Sequence, residues 1–340
     1  MSRLPTVHDV ARAAGVSRQT VSNVLNSPDI VRPDTRERVR KAIDDLGYRP
    51  HASARRLRTQ KSSTIGIRLD PMLDGISGSV LDRFLHSLTE QADAVGLRML
   101  LFTATGPEDE VRQFGRLIDG SDVDAFVLTS TFYGDPRTEW LIEHGQTFVT
   151  FGRPWGIDDM NDPRHAWVDV DGRAGVRAAT ESFLQRGLTR VGFLGWPSGS
   201  GTGDERAAGW RDAMVAAGLD GGLEELQERS VDTVAAAREA SDRLLARVGD
   251  LDAVVAASDS LALGAVVQAG GSLPVIGFDN TPVSAAMGFS SVDQRLDEVA
   301  SGVLALLTDA GGEASADTAR HRLVTPELVV RSPHPPASWA

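Results

Sequence analysis

Arg18 and Gln19 stand directly behind Ser17 in the run DVARAAGVSRQTVSNVLN, residues 9–26. Long, donor-rich side chains at the start of a helix are the groups that reach base edges in a DNA major groove. A second set of residues suits a different chemistry. Arg153 and Trp155 follow the apolar run FVTFG, Trp196 follows RVGFLG, Ser258 and Asp259 follow AVVAA, and Asp279 ends PVIGFD. Arginine, aspartate and serine bond hydroxyl groups in fixed directions. A tryptophan face can stack on the apolar side of a pyranose. Both sets recognise; neither makes bonds. The sequence holds no Gly-x-Ser-x-Gly elbow and no Gly-rich phosphate loop ending in Lys. It has no cysteine, so thiol nucleophiles, disulfides and the usual zinc thiolates are absent. The carboxylates of DDMND, residues 158–162, read as an acidic loop. An enzyme is not expected, and no cofactor or metal is implied.

The elements that must hold Arg18 and Gln19 are short. Thr6 and Asp9 have the spacing of a capping box, and Val7, Val10, Ala11 and Ala14 form one apolar stripe. Gly15 supplies the positive φ of a sharp turn, and Ser17 is an N-cap for the next helix. There Val21, Val24 and Leu25 are expected to face inward, leaving Arg18, Gln19, Ser22 and Asn23 outward and Thr20 at the edge. A third helix starts at Pro33, buries Val39, Ala42, Ile43 and Leu46, and ends at Gly47. Three short helices in so few residues make a helix-turn-helix head.

Charge separates this head from the rest. Residues 1–61 carry 13 Lys+Arg and 6 Asp+Glu, a net of +7, within a chain whose formal net charge is −12. A basic module on an acidic body suits a polyanionic partner, and a merely solvated basic surface is the bland alternative. Pro50 closes the head. The polar stretch with Ser53, Arg55, Arg56, Arg58 and Lys61 is too charged to form a core by itself and should order near phosphate, unless it is a plain linker. Of the 35 basic residues only Lys41 and Lys61 are lysine, which reflects genome composition rather than function.

From residue 62 onward apolar strands and helices alternate. STIGIRL, RMLLFTA, AFVLTS and FVTFG read as buried parallel strands, with helices at 80–95 and 137–143 among the segments between them. The pattern restarts at AWVDV, RVGFLG, AVVAAS and PVIGFD. Two sets of about four strands predict two doubly wound parallel-sheet lobes, with ligand beyond the carboxyl ends of the strands. No run is apolar and long enough to cross a membrane. The N-terminal residues have no secretory h-region, so a cytoplasmic protein is expected.

The stretches TVHDVARAAGVSRQTVSNVLN and VRPDTRERVRKAIDDLGYRPHASARRLRT resemble the lactose/galactose repressor (LacI/GalR) family of bacterial transcription regulators. The resemblance implies that Arg18, Gln19 and Ser22 read bases and that Thr6, Ser17, Thr20, Asn26 and Tyr48 contact phosphates. It makes residues 51–58 a hinge helix, with Leu57 wedged into the minor groove, Ala54 beside it and Arg55 among the DNA-binding residues. His51 stands where the family usually has Asn, and Asn23 where many members have Arg. Thinner likeness runs through WVDVDGRAGVRAATESFLQRGLTRVGFLG, RAAGWRDAM, VVAASDSLALGAVV and VIGFDN. It implies the fold of periplasmic sugar-binding proteins: two lobes, a three-strand hinge and a ligand cleft. Arg206 then matches the effector-binding arginine, Ser258 and Asp259 the usual Asn-Asp pair, and Asp279 the ligand-binding aspartate. Asp74 and Ser77 fall in the loop after the first strand.

Bland alternatives stand beside these. Arg206 and Asp279 could form a structural ion pair, and Trp155 and Trp196 could be ordinary loop aromatics. Trp167 and Trp210 read as core, and Asp169 and Asp171 as caps of a helix starting near Gly172. The expected organisation is a DNA-binding domain at 1–48, a hinge at 49–61, an effector-binding and dimerisation domain at 62–332 and a tail at 333–340. Within the third, the N-lobe takes about 62–169 and 294–322, the C-lobe about 170–291 and 323–332. The resemblance implies a repressor that binds a pseudo-palindromic operator as a homodimer and answers to a small sugar, a glucoside or short oligosaccharide. A purine or nucleoside effector is the alternative. A transport-type sugar-binding protein explains the body but not the basic head. The tail RSPHPPASWA has no leucine heptads, so a tetramer-forming coil is not expected.

Overall fold

The computed structural model describes residues 5–48, 62–69, 76, 78–157, 159–309 and 320–331. It divides into two compact units, one ending at Ser62 and the other beginning at Ser63. The expectations for Ala54, Arg55, Leu57, Asp74 and Ser77 fall outside the described residues, as does the side chain of Asn26.

In the first unit α1 (Val7–Ala14), α2 (Arg18–Asn26) and α3 (Pro33–Leu46) surround a small core of Val10, Ala11, Ala14, Val21, Val24, Val39 and Ala42. The Asp9 carboxylate accepts from the Thr6 N–H at 2.9 Å and the Thr6 hydroxyl at 2.6 Å, fixing the first turn. Gly15 ends α1 in the left-handed region, φ 64°, and the Val16 N–H turns back to the Ala11 carbonyl at 3.0 Å. Ser17 then accepts from the Thr20 N–H at 3.1 Å, so one helix is closed and the next opened within three residues. Leu25 and Leu46 depart from expectation: they are 37% and 38% exposed. Each sits in the last turn of its helix, which runs past a core this small.

The second unit holds two six-stranded sheets. In the first the order is β2 (Arg98–Phe102), β1 (Thr64–Arg68), β3 (Ala125–Leu128), β4 (Thr147–Phe151), β5 (Ala166–Val170) and β11 (His321–Val324), all parallel. In the second it is β7 (Gln227–Arg229), β6 (Val191–Gly195), β8 (Ala253–Ala256), β9 (Val275–Phe278), β10 (Ser290–Asp293) and β12 (Glu327–Val329), with only β12 antiparallel. The order 2-1-3-4-5 is doubly wound, so each sheet has a switch point where loops leave in opposite directions. The helices between the strands are α4 (Gly78–Ala94), α5 (Pro107–Asp119), α6 (Pro136–Glu143), α7 (Gly172–Leu184), α8 (Gly201–Ala216), α9 (Val234–Val248), α10 (Asp259–Gln268), α11 (Pro282–Met287) and α12 (Leu296–Asp309). The chain passes from sheet to sheet three times: after β5, after β10, and between β11 and β12.

Two expectations change. AWVDV does not open the second lobe; it is β5 of the first sheet, hydrogen-bonded between β4 and β11. Each sheet also has six strands rather than about four, because β7, β10, β11 and β12 are short and lack an apolar run. Trp210 is core as expected: it is fully buried, and its indole N–H donates to the Val191 carbonyl at 3.0 Å. Beside it α7 and α8 approach so closely that a Cβ on Gly209 would lie 2.1 Å from the Arg173 carbonyl oxygen. Trp167 is 7% exposed and donates to the Met160 carbonyl at 2.7 Å. No helix among the described residues is long and apolar enough to cross a membrane.

His165, just before β5, is 2% exposed. The Thr150 hydroxyl donates to the Gly152 carbonyl at 2.7 Å, so the His165 Nε2 at 3.1 Å must carry a proton and donate to Thr150. Burial pulls the imidazole down to about 4 from its ordinary 6.5, against the pull of Asp135. The folded state therefore takes up the second imidazole proton less readily than the unfolded chain, and stability is lost as pH falls from 6.5 towards 4. Urea unfolding at about pH 7 and about pH 4.5 should show wild type losing on the order of 2 kcal/mol more than His165→Gln. Equal losses in the two proteins would refute the assignment.

Candidate functional site

The first candidate is the face of α2. Arg18 and Gln19 are exposed on its first turn, as expected from the Ser17 cap. They are not loose. The Arg18 Nη1 lies 3.2 Å from the His8 Nε2, and the Gln19 amide donates to the Asn23 Oδ1 at 3.0 Å. The Ser17 and Thr20 hydroxyls lie 2.9 Å apart beside them. Ser22 is half-buried, and Thr6 sits at the start of α1. Tyr48 packs against the head's core just past Gly47, its N–H on the Ile43 carbonyl at 3.0 Å. One short helix thus presents two long donors whose ends are held by the neighbouring His8 and Asn23 side chains.

The second candidate is a cavity of about 330 Å³ in the second unit. It lies at the carboxyl ends of the strands of both sheets, where a doubly wound fold leaves its crevice. One wall comes from the N-lobe loops after β3 and β4: Thr129, Ser130, Thr131, Phe151 and Gly152. The other comes from the C-lobe: Trp196, Ser200, Thr202, Arg206, Asp232 and Asp279. Asp169 and Gln294 line it where the chain passes between the sheets.

Arg206 is the centre of this cavity. It is 4% exposed, with its guanidinium carbon 4.9 Å from the Trp196 ring centroid and 3.7 Å from that of Phe278. Two aromatic faces holding one cation is a favourable, orienting contact. Nη1 donates to the Ala257 carbonyl at 2.5 Å and lies 3.7 Å from the Asp279 Oδ1. Nε has no hydrogen-bond partner among the described residues, nor has the Trp196 Nε1. The Arg206 Nε faces Gly172, where an added Cβ would lie 3.4 Å from it.

Asp279 is held in turn. The Gln294 amide donates to its Oδ1 at 2.6 Å, and the Arg83 Nη1 donates to the carbonyls of Asp279 and Asn280, each at 3.2 Å. Both residues have positive φ, 109° and 47°, backbone strain of the kind that persists where surroundings over-determine it. Burial is the largest influence on Asp279. With the carboxylates of Asp259 and Asp232 it outweighs Arg206 and lifts the acid to about 8. Burial likewise pulls Arg206 down, against the carboxylates of Asp279 and Asp169.

The structure therefore brings Trp196, Arg206 and Asp279 together. Ser258 and Asp259 lie one layer behind the cavity wall. Ser258 caps α10, accepting from the Leu261 N–H at 3.2 Å, and its hydroxyl donates to Asp232. Asp259 accepts from the Thr281 N–H and hydroxyl, each at 2.7 Å, and from Ser291 at 2.6 Å. Arg153 lies behind Asp169, its Nε donating to the carboxylate at 2.8 Å. Trp155 is 4% exposed and lines a different cavity. Sequence reasoning assigned Asp169 to a helix cap. Only Asp171 caps α7, accepting from the Ala174 N–H at 2.9 Å, whereas Asp169 faces the cleft and burial raises its acid. A carboxylate in a strand otherwise apolar was the available signal. Asp232, Thr131 and Gln294 were missed, the first and last because β7 and β10 were not recognised.

Residues 6–51 match the family described as "Bacterial regulatory proteins, lacI family", and residues 180–332 match a "Periplasmic binding protein-like domain". The chain is 35% identical over 329 residues to the HTH-type transcriptional regulator CelR of Thermobifida fusca, covering 90% of this chain and 92% of that one. It is 33% identical over 260 residues to the regulator AglR of Rhizobium meliloti, covering 76% and 70%. Among solved structures, a LacI-family regulatory protein from Chloroflexus aggregans superposes with a TM-score of 0.72 at 30% identity, over 80% of this chain and 99% of that one. The complex of a transcriptional regulator CelR with cellobiose gives 0.70 at 28% identity, over 97% and 100%. The lac repressor dimer bound to operator, at 19% identity and a TM-score of 0.81 over 97% and 99%, shares the fold. A helix-turn-helix head, two parallel-sheet lobes and a relative this similar over nearly its whole length place the chain in the LacI family of transcriptional regulators.

Proposed function

We propose that this regulator is a cytoplasmic repressor. Two copies read the half-sites of a pseudo-palindromic operator, and a neutral sugar in the interlobe cleft changes that binding. The observation that carries the effector reading is Arg206, a buried guanidinium held between two aromatic rings in the lining of the cleft. Around it the lining carries three acidic side chains, Asp169, Asp232 and Asp279, of which Asp279 is lifted to about 8 and Asp169 is paired with Arg153. Hydrogen-bonding acids around a single lining cation suit hydroxyl groups and disfavour phosphate. The cavity volume falls within the ~300–1,000 Å³ of small-molecule sites. The likeness to a CelR–cellobiose complex favours a glucoside or short oligosaccharide. Amide groups suited to ring nitrogens are scarce in the lining, Gln294 being taken by Asp279, which counts against a purine.

In this reading Arg18, Gln19 and Ser22 read bases. Thr6, Ser17, Thr20, Asn26 and Tyr48 hold phosphates, with Ala54, Arg55 and Leu57 at the minor groove. In the cleft Trp196 stacks on the sugar, while Arg206 and Asp279 bond neighbouring hydroxyls. Asp74 and Ser77 belong to the loop after β1 and are assigned to the same ligand by the family pattern. Arg153 and Asp259 support carboxylates and loops rather than touching ligand, and Ser258 acts through Asp232. Effector and operator influence each other only if the sugar binds the two DNA-affinity states unequally. A coupling of about 1–3 kcal/mol would change operator binding about 5–150-fold.

Two outcomes follow. On an operator selected from random DNA, Arg18→Ala should lose about 1–3 kcal/mol and relax preference at one position of each half-site. Leu57→Ala should weaken operator binding more than nonspecific binding. Wild-type binding by both variants would displace the assigned reading surface. In a thermal-shift screen of the full chain, a sugar at about 100 Kd should stabilise by about 2.7 kcal/mol. Trp196→Ala and Arg206→Ala, with unchanged circular dichroism, should abolish the shift. A shift with a purine or nucleoside alone would discard the sugar cleft and keep the repressor.

A further inference from the structure

A larger cavity, about 510 Å³, opens on the N-lobe beside the cleft. It is built by the same two loops, those leaving the carboxyl ends of β3 and β4, together with one face of α6. Thr131 lines both cavities. Between them stands Trp155. Its ring lies so flat against the start of α8 that a Cβ on Gly201 would come within 2.0 Å of it, and Ser200 and Thr202 on either side of Gly201 line the cleft. The two spaces therefore adjoin at Thr131, with Trp155 packed into the seam between the lobes and the Arg153 guanidinium 4.5 Å from its ring centroid. Next to that seam, Arg153 reaches the Glu205 carboxylate of α8 at 3.4 Å.

The lining of this second cavity is amphipathic. Ile157, 44% exposed, with the half-buried Phe132 and Ile142, gives it apolar surface, while Trp155 is 4% exposed. Glu139 and Glu143, one turn apart on α6, face it as acceptors, and neither has an ion-pair partner among the described residues. Arg164 is occupied by the Asp162 carboxylate, with Nη2 at 2.7 Å. The Trp155 Nε1 is buried, with no hydrogen-bond partner among the described residues. No three carboxylates or imidazoles among the described residues converge to hold a metal ion. Free carboxylates and no free guanidinium disfavour an anion. Apolar surface beside outward acceptors fits the C–H face and hydroxyl rim of a neutral pyranose.

We propose that this cavity is a second carbohydrate subsite, adjoining the cleft at Thr131, so that the preferred effector is a neutral oligosaccharide longer than the cleft alone holds. This rests on the sugar reading of the cleft. A chain spanning the two cavities would touch both sides of the seam, since Trp155 belongs to the N-lobe and Gly201 to the C-lobe.

The test is a titration of the full chain by calorimetry with glucose and with β-1,4- and α-1,4-linked glucans of two, three and four units. The expected result is a step of tenfold or more in affinity on passing from the shortest sugar that binds to a longer one of the same linkage. Glu139→Gln with Glu143→Gln, and separately Ile157→Ser, should remove most of that step while leaving the shortest binder's affinity unchanged. All three positions are exposed and outside the cleft, so folding is not at stake. Trp155→Phe keeps the ring, removes the N–H and should lose several-fold on the longer sugar alone. Affinity independent of length, with the shortest binder still dependent on Arg206, would overturn the second subsite and leave the cleft intact. A length step untouched by every variant would also overturn it. Binding by no glucan of either linkage would end both readings.

Discussion

A guanidinium cannot be taken out of water without something to replace its hydration, and the buried Arg206 sets that constraint on the whole body. The replacement comes from every direction. Trp196 and Phe278 cover its faces, the Ala257 carbonyl accepts at the end of β8, and Asp279 stands at the end of β9. Each neighbour must then be fixed in its turn. Gln294 and Arg83 hold Asp279 in a backbone conformation that a non-glycine residue seldom adopts. Ser258, buried beneath, ties Asp232 to the cap of α10. The C-lobe side of the cleft is therefore braced at each of these groups, the pre-organisation that would lower the entropic cost of binding a ligand there.

The head is stabilised on a different scale. Its core is seven small or β-branched residues, so local backbone devices carry much of the order: the Thr6–Asp9 cap, the left-handed Gly15 and the Ser17 cap. These fix the angle at which α2 leaves the turn. Arg18 and Gln19 inherit their direction from that turn and from the exposed contacts of their ends with His8 and Asn23 rather than from core packing.

Much of this was legible in residue order. Caps and turns are local, so Thr6, Gly15, Ser17 and Pro33 announced the head correctly, and apolar runs announced the strands that lie inside each sheet. What failed was whatever depends on residues far apart. Leu25 and Leu46 have the right helical spacing, but the head's core does not extend far enough to cover them. AWVDV looks like the opening of a lobe because a strand's sheet is chosen by its partners, β4 and β11, not by its composition. Asp169 lies two residues before a helix cap in sequence, yet it faces Arg153 and the cleft, because alternation along β5 sends it to the side opposite Val168 and Val170. Ser258 and Asp259 were placed in the right neighbourhood and one layer too far forward.

The three passages of chain between the sheets have a consequence for synthesis. The strands β11 and β12, residues 321–329, are edge strands of different sheets, and both are made last among the described elements. Before them comes α12, which covers the first sheet although its residues follow those of the second. As the chain emerges from the ribosome, neither lobe can complete its hydrogen bonding until β11 and β12 exist, whereas the head's core, among the described residues, is formed within the first 48 residues. The DNA-reading part is thus able to fold while the part that would regulate it is still being translated.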